Sequence, residues 1–240
     1  MDPSQAIPAR RRHILWLIEH TPADPLAGSP AATIDPAGHR LADAQGFKLA
    51  SDAWRTRTAR ADSNAAALAN AAYFFKLSDK AFTISLLERS LTLEPANKEV
   101  GARLGDEYAL AIMGVTMVNK NGFPLEADPR HAQSALARQA REALNSSQNP
   151  YALAKAGYML SLQGAILRSM GKLGFDTAPL AEGALQRAVS IAPGDRDVAN
   201  YQAHHRAIQR ENPDRDRSAG RPLITQKART LDSTPQRPSN

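Results

Sequence analysis

Ala181-Glu182-Gly183-Ala184-Leu185-Gln186-Arg187-Ala188-Val189-Ser190-Ile191-Ala192-Pro193 decides the fold, because a fainter copy of it occupies residues 83–95. In each copy a small residue is followed four places on by Leu, three further by a small residue, three further by an aliphatic and two further by Pro. The positions are Ala181, Leu185, Ala188, Ile191 and Pro193 beside Thr83, Leu87, Ser90, Leu93 and Pro95. Spacings of about four and three keep the first four on one helical face, which is therefore expected to be buried. The Pro cannot extend the helix and pushes its predecessor out of the α region, so it marks the stop. One helix written twice with the same face and the same stop predicts a helical repeat.

The flanking sequence supplies the partner helices. Ahead of the first copy, Ala71 and Phe74 stand three apart on a helix that ends at a Ser78-Asp79 turn. The next unit opens with Leu104-Gly105-Asp106-Glu107-Tyr108, and Ala71 to Gly105 is 34 residues. Helix pairs are expected over 64–95, 99–145 and 151–192, with no strand between 64 and 192. The middle unit is stretched: its first helix is expected to reach about residue 118, followed by an inserted loop at 119–129 containing Asn121-Gly122 and Pro124. Its second helix then carries Ala132, Leu136, Ala140 and Leu144 on one face. The third starts at Asn149-Pro150, where Pro suits a first helical position, and its first helix overruns to a loop at Gly171-Lys172-Leu173-Gly174.

These elements resemble the tetratricopeptide repeat. Leu104, Gly105 and Tyr108 match its L-G-x2-Y element, residues 181–193 resemble its second helix, and 34 residues is its period. The resemblance covers about residues 46–210 and implies an all-α right-handed superhelix whose first helices line a concave groove. Carried over position by position, the groove places are Leu68, Ala72, Phe75 and Lys76; then Ala102, Asp106, Ala109 and Leu110; then Ala154, Tyr158, Ser161 and Leu162. Of these Leu68, Phe75, Lys76, Asp106, Leu110 and Tyr158 are the expected partner-binding residues, with Phe75 as the anchor. Leu68 and Ala72 stand where some members carry Lys and Asn to clamp a terminal carboxylate, so an apolar or amphipathic segment is the implied ligand. The opposing reading is that the 21–45 loop and the long helices fill the groove.

Around this core, a first helix from about residue 8 to His20 buries Ile14, Leu15 and Ile18, with Trp16 and Leu17 widening its apolar face. Residues 21–45, with Pro22, Pro25, Pro30 and Pro36, show no period and form an irregular loop pinned by Leu26, Ile34 and Leu41. Phe47, Ala50 and Trp54 return at helical spacing as a half repeat. Residues 195–209 form a capping helix with Val198, Tyr201 and Ile208, as the open end of an array needs. The tail at 211–240 is too polar to bury and is expected to be disordered. The domains are thus 1–45, 46–210 and 211–240.

Composition narrows the function classes. The chain has 240 residues, 42% hydrophobic but only 5% aromatic, which suits close helix packing. Its net charge of +6 is spread evenly, since residues 1–60, 61–210 and 211–240 each carry an excess of two cations. That is not the basic stripe of a nucleic-acid binder, and no specific nucleic-acid partner is expected. The longest apolar run near the start, Ile14 to Ile18, is five residues, too short for a membrane span or a signal peptide. A cytoplasmic location is expected, or an exported one if a leader has been removed. There is no Cys, no HExxH, no P-loop, no dinucleotide glycine pattern and no G-x-S-x-G elbow, so neither a metal nor a cofactor is implied. His204 and His205 point about 100° apart, one expected exposed and one half-buried. Asp106 and Glu107 face different ways on their helix. The expected function is a non-enzymatic scaffold that binds a protein or peptide segment. The alternative is a small-molecule binder or enzyme with its site in the 21–45 or 119–129 loops.

Overall fold

The structure, a computed structural model, describes residues 3–29, 43–118 and 124–211. Helix starts are set by short polar side chains. After α1 (Pro3–His20), Asp43 opens α2 (Ala44–Ala59), Asn64 opens α3 (Ala65–Phe75), Asp79 opens α4 (Lys80–Leu93) and Asn97 opens α5 (Lys98–Ile112). Asp128 opens α6 (Pro129–Ala132), Ser134 opens α7 (Ala135–Ser146) and Asn149 opens α8 (Pro150–Ser169). Each of these caps accepts a hydrogen bond from a first-turn N–H, meeting donors the helix itself leaves unpaired. Then come α9 (Ala178–Ile191) and α10 (Arg196–Glu211). The protein is mostly helical.

One expectation fails between residues 64 and 192. Strand β1 (Val115–Val118) pairs antiparallel with β2 (Pro124–Ala127) where the sequence reading continues the first helix and then has a loop. The cause is Gly114, whose φ of 66° ends α5 in the left-handed conformation. Beyond it Val115, Thr116 and Val118 are β-branched and favour a strand. Asn121-Gly122 is a hairpin-turn signal, although the tip lies outside the described residues.

The expected helix pairs form. Ser90 on α4 donates to the Ala65 carbonyl at the start of α3, at 2.9 Å, so that pair is antiparallel. Thr177, ahead of α9, donates to the Leu160 carbonyl of α8 at 2.7 Å, while a Cβ on Gly157 would lie 2.9 Å from the Ala181 carbonyl oxygen. Those contacts make α8 and α9 antiparallel too. Of the repeated face, Thr83, Leu87 and Ser90, with Ala181, Leu185 and Ala188, are buried as expected. Leu93 and Ile191 are not, at 54% and 39% exposed. Since α3 begins level with Ser90, Leu93 has run past the end of its partner.

First helices of successive units lie side by side and parallel. Gly101 of α5 abuts Asn149 and Tyr151, and Gly105 abuts Ala152 and Ala156 of α8, so both chains advance together. A Cβ at Gly105 would stand 2.8 Å from the Ala156 nitrogen. In the same sense Tyr151 meets Asp195, Tyr158 meets Tyr201, and Ser161 meets His205, which lays α10 parallel on α8. The outer face of α10, with Arg196, Asn200, Ala203 and Ala207, is exposed, as suits a cap. Gly105 and Gly157 do different work despite their matching places: one seats α8, the other receives Leu185 of the same unit's second helix.

At the other end α1 and α2 join the same core, which runs without a break from Ile14, Ile18 and Trp54 to Leu185 and Val198. Arg11 ties the two together, donating to both carboxylate oxygens of Asp43 at 2.6 Å and to Gln45 at 2.7 Å. Helix α1 starts at Pro3, earlier than read from the sequence, and carries Pro8 inside it. Trp16 does not widen the buried face; it is 51% exposed and stacks on His20. The described part of the 21–45 loop holds a short 3-10 turn, Pro25–Gly28, fixed by Asn70 of α3, which donates to the Pro22 and Asp24 carbonyls at 2.9 Å. Leu26 is 62% exposed and pins nothing, because Ala27 and Gly28 face inward and Gly28 lies against the Asn70 backbone. Ile34, Leu41 and the tail at 212–240 lie outside the described residues.

Candidate functional site

Of the six residues expected to line a groove, Leu68, Phe75 and Leu110 are core, at 1%, 2% and 8% exposed. Phe74 and Phe75 stand on neighbouring faces of α3, about 100° apart, and do not share a partner helix. Each instead meets a different one. Phe74 stacks on Phe47 of α2 with centroids 5.0 Å apart, while Phe75 meets Phe82 of α4 edge-on at 5.0 Å and lies under the Arg55 guanidinium at 5.1 Å. The Phe75 place is thus filled by Phe82 and Arg55, while the 21–29 segment rests on Asn70, on a different side of α3. The anchor role of Phe75 is thereby corrected.

Lys76, Asp106 and Tyr158 do reach the surface, and each belongs to a patch of tyrosines and cations on the first helices. The Lys76 ammonium lies 4.0 Å from the Tyr73 ring centroid, with the Arg103 guanidinium of α5 at 5.6 Å from the same ring. On α8, Tyr151, Lys155 and Tyr158 follow at spacings of four and three, which puts them on one face. Lys98 of α5 covers Tyr151 at 4.9 Å, and Lys155 stands 5.5 Å from the rings of both Tyr158 and Tyr201. The latter two rings are 5.4 Å apart, with exposed His204 at 5.8 Å from Tyr158. Four of the five tyrosines therefore carry a cation on the ring. The fifth, Tyr108, is buried and donates to Glu88 at 2.7 Å, and burial followed by that carboxylate pushes its ionisation far upward.

The charges of this face are mostly matched. Lys98 binds Asp195 at 2.9 Å and Asp197 at 3.2 Å; these bonds raise the lysine and, with backbone N–H bonds, hold Asp195 down to about 2. Arg103 binds Glu99 at 2.6 Å. Asp106 is matched more loosely, by the ammonium of Lys155. Its side chain keeps 35% of its surface exposed, yet Oδ1 is sealed and unbonded, with Lys155 at 3.6 Å, beyond hydrogen-bond range. Burial outweighs the lysine and, with Glu107 adding to it, pushes Asp106 up to about 6. Glu107 turns away to Lys80 of α4 at 3.3 Å, so the adjacent carboxylates do face different ways.

The sequence reading missed Tyr73, Arg103, Lys155, Tyr201 and His204 as members of this patch. The spacing of Tyr151, Lys155 and Tyr158 was the available signal. By the 119–129 loop, an open hollow of about 400 Å³ is bordered by Glu126, Asp128, Arg130 and Lys172. Its cations are engaged: Arg130 binds Asp128, which also caps α6, and Lys172 donates to the Leu125 carbonyl. Among the described residues no cluster of His and carboxylates could hold a metal, and no helix is long and apolar enough to cross a membrane. Comparison with family models, curated proteins and solved structures finds no match to this chain.

Proposed function

We propose that the protein is a tetratricopeptide-like scaffold that binds a protein segment across the exposed tyrosine face of α3, α5, α8 and α10, without catalysis. The observation that carries this reading is the parallel stacking of α5, α8 and α10 with tyrosines and cations on their common side. Tyrosine gives a large, rigid contact surface with a hydroxyl for hydrogen bonding, at small cost in side-chain entropy. With Leu68, Phe75 and Leu110 in the core, the partner is not an apolar segment seeking a greasy groove. It is a segment that stacks on rings and hydrogen-bonds between them. Photo-crosslinking tests this: a benzophenone amino acid at Lys76 or His204 should trap one partner, while the same group at Thr92 of α4 or Gln186 of α9 should not. Adducts at the outer positions alone would place binding elsewhere.

A further inference from the structure

On its other flank α10 borders a cleft of about 270 Å³ against α9, lined by Glu182, Leu185, Gln202, His205, Arg206, Gln209 and Arg210. Residues 202, 205, 206, 209 and 210 form one stripe of α10, turned about 100° from Tyr201 and His204. A helix flank facing a neighbouring helix ordinarily carries apolar side chains; here buried Val198 begins the stripe and every later member is polar. Its polar groups divide into those already bonded and those still open. His205 is 2% exposed and uses both ring nitrogens, Nδ1 with Ser161 at 2.9 Å and Nε2 with Glu182 at 2.6 Å. Glu182 is engaged in turn: His205 holds Oε2, and the Gln186 amide donates to Oε1 at 2.6 Å. Burial, which would raise Glu182, is outweighed by these bonds and by nearby Arg206, so it stays a carboxylate. Ser161 is wholly buried in α8, so the Ser161, His205 and Glu182 chain ties three helices together and offers no accessible nucleophile.

Gln202, Gln209, Arg206 and Arg210 make no hydrogen bond or ion pair with any described residue. Glu182 already accepts two bonds, while Arg206 and Arg210 leave two cations without a partner among the described residues, beside two glutamine amides that can donate. We infer that this cleft binds an oxyanion, a carboxylate or phosphate group, held by Arg206 and Arg210 one helical turn apart, with the two glutamines beside them. Guanidinium groups match such anions in two-point geometry, and the bonds are charge-assisted. The buried ties of His205 fix the helix that carries both arginines.

The anion could be a small ion or the end of a peptide chain, and two probes separate these sources. Inorganic phosphate, and a blocked tripeptide with either a free or an amidated C-terminus, would be titrated into the full chain while amide and arginine side-chain signals are followed by NMR. Saturable shifts confined to residues 182–185 and 202–210, in the millimolar range or tighter, are expected. Phosphate binding alone indicates a small ion; binding of the free-acid peptide but not the amide indicates a chain end. Arg206→Gln with Arg210→Gln should weaken binding about tenfold or more, with helix content unchanged because both side chains are exposed. Absence of saturable shifts in the wild-type chain, or shifts that persist in the folded double variant, would overturn the inference. The tyrosine face uses a different side of α10 and different residues, so either site can fail without the other.

Discussion

Arg89 and Arg187 hold the same place in the two repeat copies, six residues after Thr83 and six after Ala181, and each closes the carbonyl end of a neighbouring helix. Arg187 of α9 donates to the Leu144 and Ser147 carbonyls at 3.1 and 2.6 Å, where α7 ends. Arg89 of α4 donates to the Thr58 carbonyl at 2.7 Å, where α2 ends. The terminal carbonyls of a helix lack internal partners, so a cation there meets both a hydrogen-bonding and a dipolar need. The clamp thus joins α4 to α2 as it joins α9 to α7.

Arg187→Met should therefore destabilise the fold by about 1.5–3 kcal/mol, the range for bonds to a charged group. Arg187→Lys should not restore the loss, since one ammonium cannot bridge two carbonyls as the fork does. Urea unfolding measures both, and Arg89→Met should cost less because Arg89 is more exposed.

Leu185→Ala is expected to cost about 2–5 kcal/mol, as for other buried leucines, while Ile191→Ala, at a half-exposed helix end, should cost far less. Equal losses would show that the buried face has been misplaced. Phe75→Ala belongs with Leu185→Ala as a stability variant, at about 3–5 kcal/mol.

Gly105→Ala should cost about 1–3 kcal/mol by overpacking, because the atoms its Cβ meets are the Ala152 carbonyl oxygen and the Ala156 nitrogen of α8. Backbone cannot swing aside as a side chain would, so the two helices must separate. Thermal unfolding of the variant gives the loss.

How far these positions could be read from residues alone follows from what fixes each one. Leu185 and Leu87 were legible because helical period and a following Pro are local signals. Leu93 was not, since its exposure depends on where α3 begins. The hairpin at Val115 was written in Gly114 and the β-branched run, but the expectation of a continuing repeat overrode it. Phe75 was misread for a tertiary reason: its place on α3 is covered by Phe82 of α4 and Arg55 of α2. Tyr158 stays near the surface, between the parallel helices α5 and α10.

Asp106 makes stability depend on pH in an unusual sense. Its folded value of about 6 lies above its unfolded value near 3.9, so between these the folded state binds more protons and this group's contribution falls as pH rises. Asp106→Asn should raise the melting temperature at pH 7–8, and the gain should fade toward about pH 4, where aspartate is protonated in the folded wild type. A gain independent of pH would remove burial of the carboxylate as its cause.

The tyrosine face is tested most directly by the affinity of the crosslinked partner for a Tyr73→Ala and His204→Ala double variant, altered at both ends of the face. Both side chains are exposed, so helix content and melting temperature should match the wild type. Binding weakened by about tenfold or more is the predicted result, a loss of about 1.4 kcal/mol. Full-strength binding by the folded double variant would contradict it.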